Sequence, residues 1–509
     1  MAVAMMCVVL LCGAFLLAGC GSSKTSADSG TVNFLIDSAP TNLDPRIGAD
    51  AYSEHVDGLI FSSLVARDAH FNVIPDLAER WDIPDPLTYV FYLRPGVKFH
   101  DGRPLTSADV KYTFDTILFG ALKTPKRGGF KMVTSIEAPD DATVIFHLNE
   151  PYASLLSSMV SPEIGIVPRG SGAEMAQHPI GTGPFRFVSA TTDEEIVLER
   201  NENYFGGVPK IERLRMRIVP DAIVRALELR KGSADAVINS LTPDMVVTLA
   251  KERGLAAVQE PGTTMAYLAF NFEDPILAKR EVRQALAYAT DRATIIKYLL
   301  RGQARSAQSL LPPNHWAFDA DVQPYDFDPG LAEKMLDAAR YPRGTDGVRL
   351  RLTLKTSTDE FTRLTSAAIA DQWKRVGVVL ELRPLEFATF YTDITRGSFQ
   401  MYTLRWVGAN TDPDIFEYVF GSKRMPPVGA NRGHYRNAEL DVLLDRARVE
   451  MDQAKRKAIL AEVQRIVAVD EPYINLWYVD NVCVHRDRLG GIALSPGGDY
   501  DFLDAAFLK

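Results

Sequence analysis

Charge is missing from the first 19 residues: Met1 to Gly19 contains no Asp, Glu, Lys or Arg. Cysteine is scarce, with Cys7 and Cys12 inside that uncharged stretch, Cys20 at its end and Cys483 alone in the remainder. No disulfide can then form within the body of the protein, so its stability must come from burial. A basic excess is lacking too. The formal net charge is −9, which argues against a nucleic-acid partner, since polyanions call for a basic face. Catalytic signatures are also absent: there is no Gly-x-Ser-x-Gly elbow, no phosphate loop, no Gly-x-Gly-x-x-Gly and no His-Glu-x-x-His. The eight histidines (His55, His70, His100, His147, His178, His315, His434, His485) are scattered, with no pair at metal-ligand spacing on one helix. Asp412-Pro413-Asp414 misses the spacing of a calcium loop and reads first as a turn and helix cap. No cofactor and no metal are expected.

What is present begins at the N-terminus. Val8 to Leu17 is an apolar core, closed by Leu17-Ala18-Gly19-Cys20 and followed by the polar Gly21 to Ser26. This is the pattern of a lipoprotein export signal, residues 1–19, with the mature chain starting at Cys20. A lipid on that sulfur would hold the body at a membrane surface, each buried methylene contributing about 0.8 kcal/mol. The usual Lys or Arg before the apolar core is missing, and an uncleaved membrane helix is the alternative, since about 20 apolar residues span a bilayer. Either reading places the body outside the cytoplasm, on the periplasmic or extracytoplasmic face.

Residues 20–30 read as a Ser-rich tether, and Thr31 to Ile36 as the first strand. With 46% hydrophobic and 24% charged residues, the body has the make-up of ordinary globular lobes. Its length predicts two or three, at about one per 150 residues. Tyr89 to Leu93 and Val97 to Phe99 are strand candidates around the turns Arg94-Pro95-Gly96 and Asp101-Gly102. A helix follows, capped by Thr106 or Ser107, with Val110, Phe114 and Ile117 on one face. Glu281 to Leu300 and Phe361 to Val376 are further helices, the latter stopped by Gly377 before a strand at Val378 to Leu382. Strands and helices alternate without internal repeats, which predicts an α/β protein of several lobes.

A series of stretches in consistent order carries a resemblance. It runs from Asn42-Leu43-Asp44-Pro45 through Pro75-Asp76-Leu77-Ala78-Glu79-Arg80-Trp81 to Thr88-Tyr89-Val90-Phe91-Tyr92-Leu93-Arg94-Pro95-Gly96-Val97-Lys98-Phe99-His100-Asp101-Gly102. It continues with Gly181-Thr182-Gly183-Pro184-Phe185, Asn201-Glu202-Asn203-Tyr204-Phe205 and Val282-Arg283-Gln284-Ala285-Leu286. Together these resemble the family 5 extracellular solute-binding proteins, the peptide, oligopeptide and nickel receptors of ABC importers. The resemblance implies an α/β, periplasmic-binding-protein-like fold of two lobes with an extra inserted domain. Lobe I is expected at about 31–60, 179–268 and 481–509, the inserted domain at 61–178 and lobe II at 269–480. Hinges are expected near Phe270-Asn271-Phe272 and Val479 to Val482. It further implies capture of a peptide or peptide-like solute in the cleft, delivery to permease subunits, a monomer, and no enzymatic activity.

In peptide receptors of this family a segment of the form Trp-x-Gly-Asp-x-x-Asp-Pro supplies an Asp for the peptide ammonium. Here it reads Trp406-Val407-Gly408-Ala409-Asn410-Thr411-Asp412-Pro413, with alanine in that place. An unpaired buried ammonium costs several kcal/mol, roughly, which disfavours a free N-terminus unless Asp412 or Asp50 reaches it. An arginine for the ligand carboxylate is also missing before the helix at Phe361, where only Lys355 could replace it. Arg405 and Trp406 suit an anionic or planar group; the competing reading pairs Arg405 with Asp412 or Asp414 and buries Trp406 in a core. Asn410 can hydrogen-bond a peptide backbone or a sugar, and Tyr52 and Ser53 follow from the loop after Asp44-Pro45. The candidate binding residues are thus Arg405, Trp406, Asn410, Asp412, Tyr52 and Ser53, with Cys20 for lipidation. A non-peptide solute (sugar, amino-acid conjugate or metal chelate), an exported hydrolase using Asp412 and Asp414, and a periplasmic chaperone remain as alternatives.

Overall fold

In the computed structural model, residues 30–160, 164–408 and 411–509 are described; Cys20, Ala409 and Asn410 lie outside them. Two large sheets organise the chain. The first has the order Leu255–Glu260, Asn481–Arg486, Ala236–Ile238, Thr31–Ile36, Arg213–Ile218, Glu195–Arg200 and Phe185–Thr191. Thr31–Ile36 lies at its centre, pairing in parallel with Arg213–Ile218 and Ala236–Ile238. The second runs Ala304–Ser306, Tyr473–Val479, Met265–Phe270, Met401–Trp406, Leu350–Ser357 and Val378–Leu385. Every residue of Met265–Phe270 is buried, as a central strand covered on both faces requires. One face packs under Tyr402, Phe416, Val419 and Leu460, the other under Leu286, Trp373 and Leu336.

A third, antiparallel sheet, Ala78–Asp85, Thr88–Leu93, Thr143–Leu148 and Val133–Asp140, is inserted between elements of the first. Thr88–Leu93 and Thr143–Leu148 alternate between partly buried and buried positions, so one face carries Tyr89, Phe91, Val144 and Phe146 inward. The helix Ser107–Leu118, closed at its start by a reciprocal Thr106–Asp109 capping box, covers that face with Val110, Phe114 and Ile117. Phe146 meets Phe91 and Phe114 edge-on, at ring separations of 5.6 and 5.0 Å. The chain leaves the first sheet region after Ile60 and returns at Gly181–Gly183. There only glycine fits, because a Cβ on Gly183 would lie 2.6 Å from the carbonyl carbon of Ile60.

Three local expectations differ from the structure. Val97 to Phe99 forms no strand but a single bridge between Lys98 and Pro104. Pro104 has no N–H with which to extend a ladder. The helix expected over 281–300 is two helices, Arg280–Tyr288 and Arg292–Tyr298. Asp291 interrupts it by accepting a hydrogen bond from the Thr294 N–H as an N-cap. The first passage between the large sheets falls at 261–264, ahead of the expected Phe270-Asn271-Phe272, because Met265–Phe270 is already a strand of the second sheet. The second passage, at Asp480, lies within Val479 to Val482. Among the described residues no helix is long and apolar enough to cross a membrane, and Cys483 is free and buried.

Candidate functional site

The two passages run side by side. A Cβ on Gly262 would sit 2.3 Å from the Val479 carbonyl oxygen, so glycine is what lets these backbones touch. Arg305 fastens them: its Nε donates to Asp480 Oδ1 at 2.8 Å and its Nη2 to the Gly262 carbonyl at 2.6 Å. Gln259 Nε2 donates to the other Asp480 oxygen at 2.8 Å. On the first-sheet side Asn239, at φ +53°, donates from Nδ2 to Asn481 Oδ1 at 2.9 Å and accepts from the Val482 N–H at 2.8 Å. Asparagine tolerates that left-handed backbone better than most residues.

Beside the passages opens a cavity of about 550 Å³ with walls from both large sheets. Asp37, Tyr52 and Asn239 come from the first; Asp359, Phe361 and Arg405 come from the second. Asp37 lies just past the end of Thr31–Ile36 and accepts a hydrogen bond from Tyr52 Oη at 2.6 Å. Burial and the charge of Asp37 push the Tyr52 phenol well up, so it stays a protonated donor. Arg405 is 45% exposed, and the carboxylate it approaches is Asp359, at 3.8 Å. Asp359 also caps the helix Glu360–Arg375, accepting from the Thr362 N–H. Carboxylate and guanidinium groups thus face one space.

Of the expected residues, Tyr52 and Arg405 are brought together in this cavity. Ser53 is fully buried and turned into the cap of the helix Ala51–Ile60, its Oγ donating to Asp50 Oδ2 at 2.5 Å and accepting from the Thr41 N–H at 3.0 Å. Trp406 follows Arg405 on a strand and points to the opposite face. There it stacks on Tyr267, with rings 5.8 Å apart and 12° from parallel, and Arg432 lies 5.6 Å from its centroid. Arg405 pairs with neither Asp412 nor Asp414; Arg456 takes that place, 2.9 Å from Asp414 and 3.7 Å from Asp412. Asp412 Oδ1 also accepts from Ser154 Oγ at 2.8 Å. Burial, then the charge of Asp412, pushes the Asp414 carboxyl up to about 6. Lys355 is engaged with Asp393 at 2.7 Å.

Asp412 therefore belongs to a seam that joins the inserted sheet region to the second large sheet's region. Glu150 and Arg448 pair there at 3.0 Å, and Asn314 Nδ2 donates to the Ala69 carbonyl at 2.8 Å. His315 stacks on Phe71 with rings 5.1 Å apart; burial holds its imidazole down at about 4, hence neutral. Asp37, Asn239, Asp359, Phe361 and Arg432 escaped the sequence reading. Asp37 had a signal, an acidic residue ending the first strand; the others depend on contacts between segments far apart in the chain. Among the described residues no group of three His, Cys, Asp or Glu is placed to hold a metal ion.

Two α/β lobes, joined by paired crossing strands and enclosing a cavity lined from both sides, define a bilobal solute-binding receptor. Comparison with known proteins gives the family. The profile of the bacterial extracellular solute-binding proteins, family 5 Middle, matches residues 72–425, and the chain belongs to that family. It is 29% identical to heme-binding protein A of Haemophilus influenzae, over 94% of this chain and 92% of the relative. It is 26% identical to the dipeptide-binding protein of Escherichia coli, over 94% of each chain. The crystal structure of the ABC transporter substrate-binding protein CtaP from Listeria monocytogenes superposes with a TM-score of 0.85 at 26% identity, over 94% of this chain and 99% of the other. Two of these relatives are named for the solute they bind and the third as a substrate-binding protein of an ABC transporter.

Proposed function

We propose that the protein is the receptor of an ABC importer for a small peptide or peptide-like solute, anchored through a lipid on Cys20 on the extracytoplasmic side, and working as a monomer that hands its solute to permease subunits. The carrying observation is the mixed charge of the inter-lobe cavity: Asp37 on one wall, Arg405 with Asp359 on the other. Groups of both signs suit a solute that bears an ammonium and a carboxylate. Asp37 stands in for the acid that the Trp406-to-Pro413 segment lacks, because its hydrogen bond is with a neutral phenol and the nearby Arg225 donates its own bonds to backbone carbonyls. Solute binding favours the closed arrangement by whatever it gains from touching both walls at once. The names of relatives support the peptide reading and keep a second one alongside it, since a related receptor is named for heme.

A thermal-shift screen tests this with free di- and tripeptides, N-acetylated peptides, oligosaccharides, hemin and nickel–histidine. A ligand at 100 times its Kd adds about 2.7 kcal/mol. Stabilisation by free peptides, diminished in Asp37→Asn, is the expected result. Stabilisation by N-acetylated peptides or non-peptide ligands alone would refute the peptide assignment while retaining the receptor.

A further inference from the structure

Arg432 is an anomaly in the second lobe. It is 6% exposed, and among the described residues no carboxylate pairs with it. Its Nη2 donates to Tyr391 Oη at 3.1 Å, while Nη1 is buried and meets no acceptor among the described residues. Its other company is aromatic: the guanidinium carbon lies 5.3 Å from the Tyr391 ring centroid and 5.6 Å from that of Trp406. Such contacts attract a cation but accept few hydrogen bonds. Two more polar atoms of this cluster share the condition: Trp406 Nε1, a donor only, and Tyr267 Oη are buried without a partner among the described residues. Two further groups able to donate thus gather around this cation. A guanidinium buried without a counter-charge is strongly disfavoured unless something compensates it.

Other buried arginines of this lobe are satisfied within the protein: Arg283 and Arg292 spread their donors over backbone carbonyls. Arg456, equally buried, has Asp412 and Asp414. The cluster also opens outward. Tyr391 and Tyr418 are 42% and 46% exposed, and Phe387, which stacks on Tyr391, is 54% exposed; Tyr418 meets Trp406 edge-on at 6.3 Å. An aromatic rim therefore surrounds an unneutralised guanidinium packed near Trp406, the residue that follows the cavity-lining Arg405 on its strand and points to the opposite face.

We propose that Arg432 is the seat for a carboxylate of the transported solute. The two carboxylate oxygens accept from Arg432 Nη1 and Trp406 Nε1, and the apolar part of the solute lies against Tyr391 and Tyr418. The planar fork of arginine matches a carboxylate, which lysine does not. The proposal rests on the solute-receptor reading and deepens it: specificity is set by an acid group, either a peptide C-terminus or an acidic side chain.

The test uses the purified protein with ¹⁵N-indole label, the Trp406 N–H resonance being assigned by its loss in Trp406→Phe. Sodium propionate, trialanine and trialanine amide are titrated in turn, with thermal unfolding followed in parallel. The expected result is a saturable Trp406 shift with propionate and trialanine, weakened about tenfold or more in Arg432→Gln and not restored in Arg432→Lys. A shift with trialanine but none with its amide assigns the peptide C-terminus. A saturable propionate shift with no stabilisation by either peptide upholds the carboxylate seat and overturns the peptide reading. A wild-type shift that is absent or rises linearly without saturation overturns the seat, as does one that survives in a folded Arg432→Gln protein, whatever the peptides do to stability.

Discussion

Replacing Arg305 with methionine keeps the aliphatic stem and removes the guanidinium that fastens both crossing strands. Asp480, 8% exposed, would retain only the Gln259 amide at 2.8 Å, and the Gly262 carbonyl would lose its donor. Breaking a buried ion pair by removing one partner costs about 3–5 kcal/mol. Because the Arg305 side chain is 32% exposed, solvent screens part of that, and a loss of about 2 kcal/mol is expected. Urea unfolding measures it, and a double-mutant cycle isolates the pair. Arg305→Met with Asp480→Asn removes the stranded charge as well as its partner, so the double variant should be at least 1 kcal/mol or so more stable than additivity of the singles predicts. Hydrogen exchange at Thr263, Thr264 and Asp480 should accelerate more than in the body of either large sheet. Strict additivity, or an Arg305→Met stability within about 0.5 kcal/mol of wild type, would refute the idea that this ion pair holds the crossing.

Two further outcomes follow from the seam and from one histidine. Glu150→Lys places a second cation opposite Arg448, exchanging an attraction of about 0.5–1 kcal/mol for a repulsion of similar size. Small-angle scattering of the ligand-free protein should then report a larger radius of gyration, and an unchanged curve would show that this pair does not hold the regions together. Burial holds the His100 imidazole down at about 4, and its neutral ring bridges Gly181 and Gly183, with Nδ1 accepting from the Gly181 N–H at 3.3 Å and Nε2 facing the Gly183 carbonyl at 3.1 Å. Its folded value lies below the unfolded one, so this stabilisation is complete above about pH 6.5 and is lost as pH falls toward 4, by about 3 kcal/mol. The stability advantage of wild type over His100→Gln should shrink across that window; an advantage that grows on acidification would reverse the sign argued here.

The order of elements and the family were legible in the sequence because they rest on local chemistry. Thr88–Leu93 and Thr143–Leu148 announce their strands by alternation, and Thr106 with Asp109 announces a helix start. Gly181 and Gly183 mark a turn whose glycines proved necessary against Ile60. Legibility failed where a short side chain competed with its own backbone, as Asp291 does in splitting one expected helix, or where a strand needed a partner it lacked, as at Val97 to Phe99.

Of the site, the sequence alone determined only candidates: Arg405 beside the segment Trp406 to Pro413, and Tyr52 in the loop after Asp44-Pro45, both through the resemblance to family 5. Only tertiary structure decided who faces whom. It gave Asp412 to Arg456 and Ser154, turned Ser53 into a helix cap, and set Asp37 across the cavity from Arg405. It also left Arg432 among tyrosines without a carboxylate. The physical reason is that backbone preferences act over a few neighbouring residues, whereas charge compensation in a buried site is settled by groups that lie far apart in the chain and meet only when the sheets assemble.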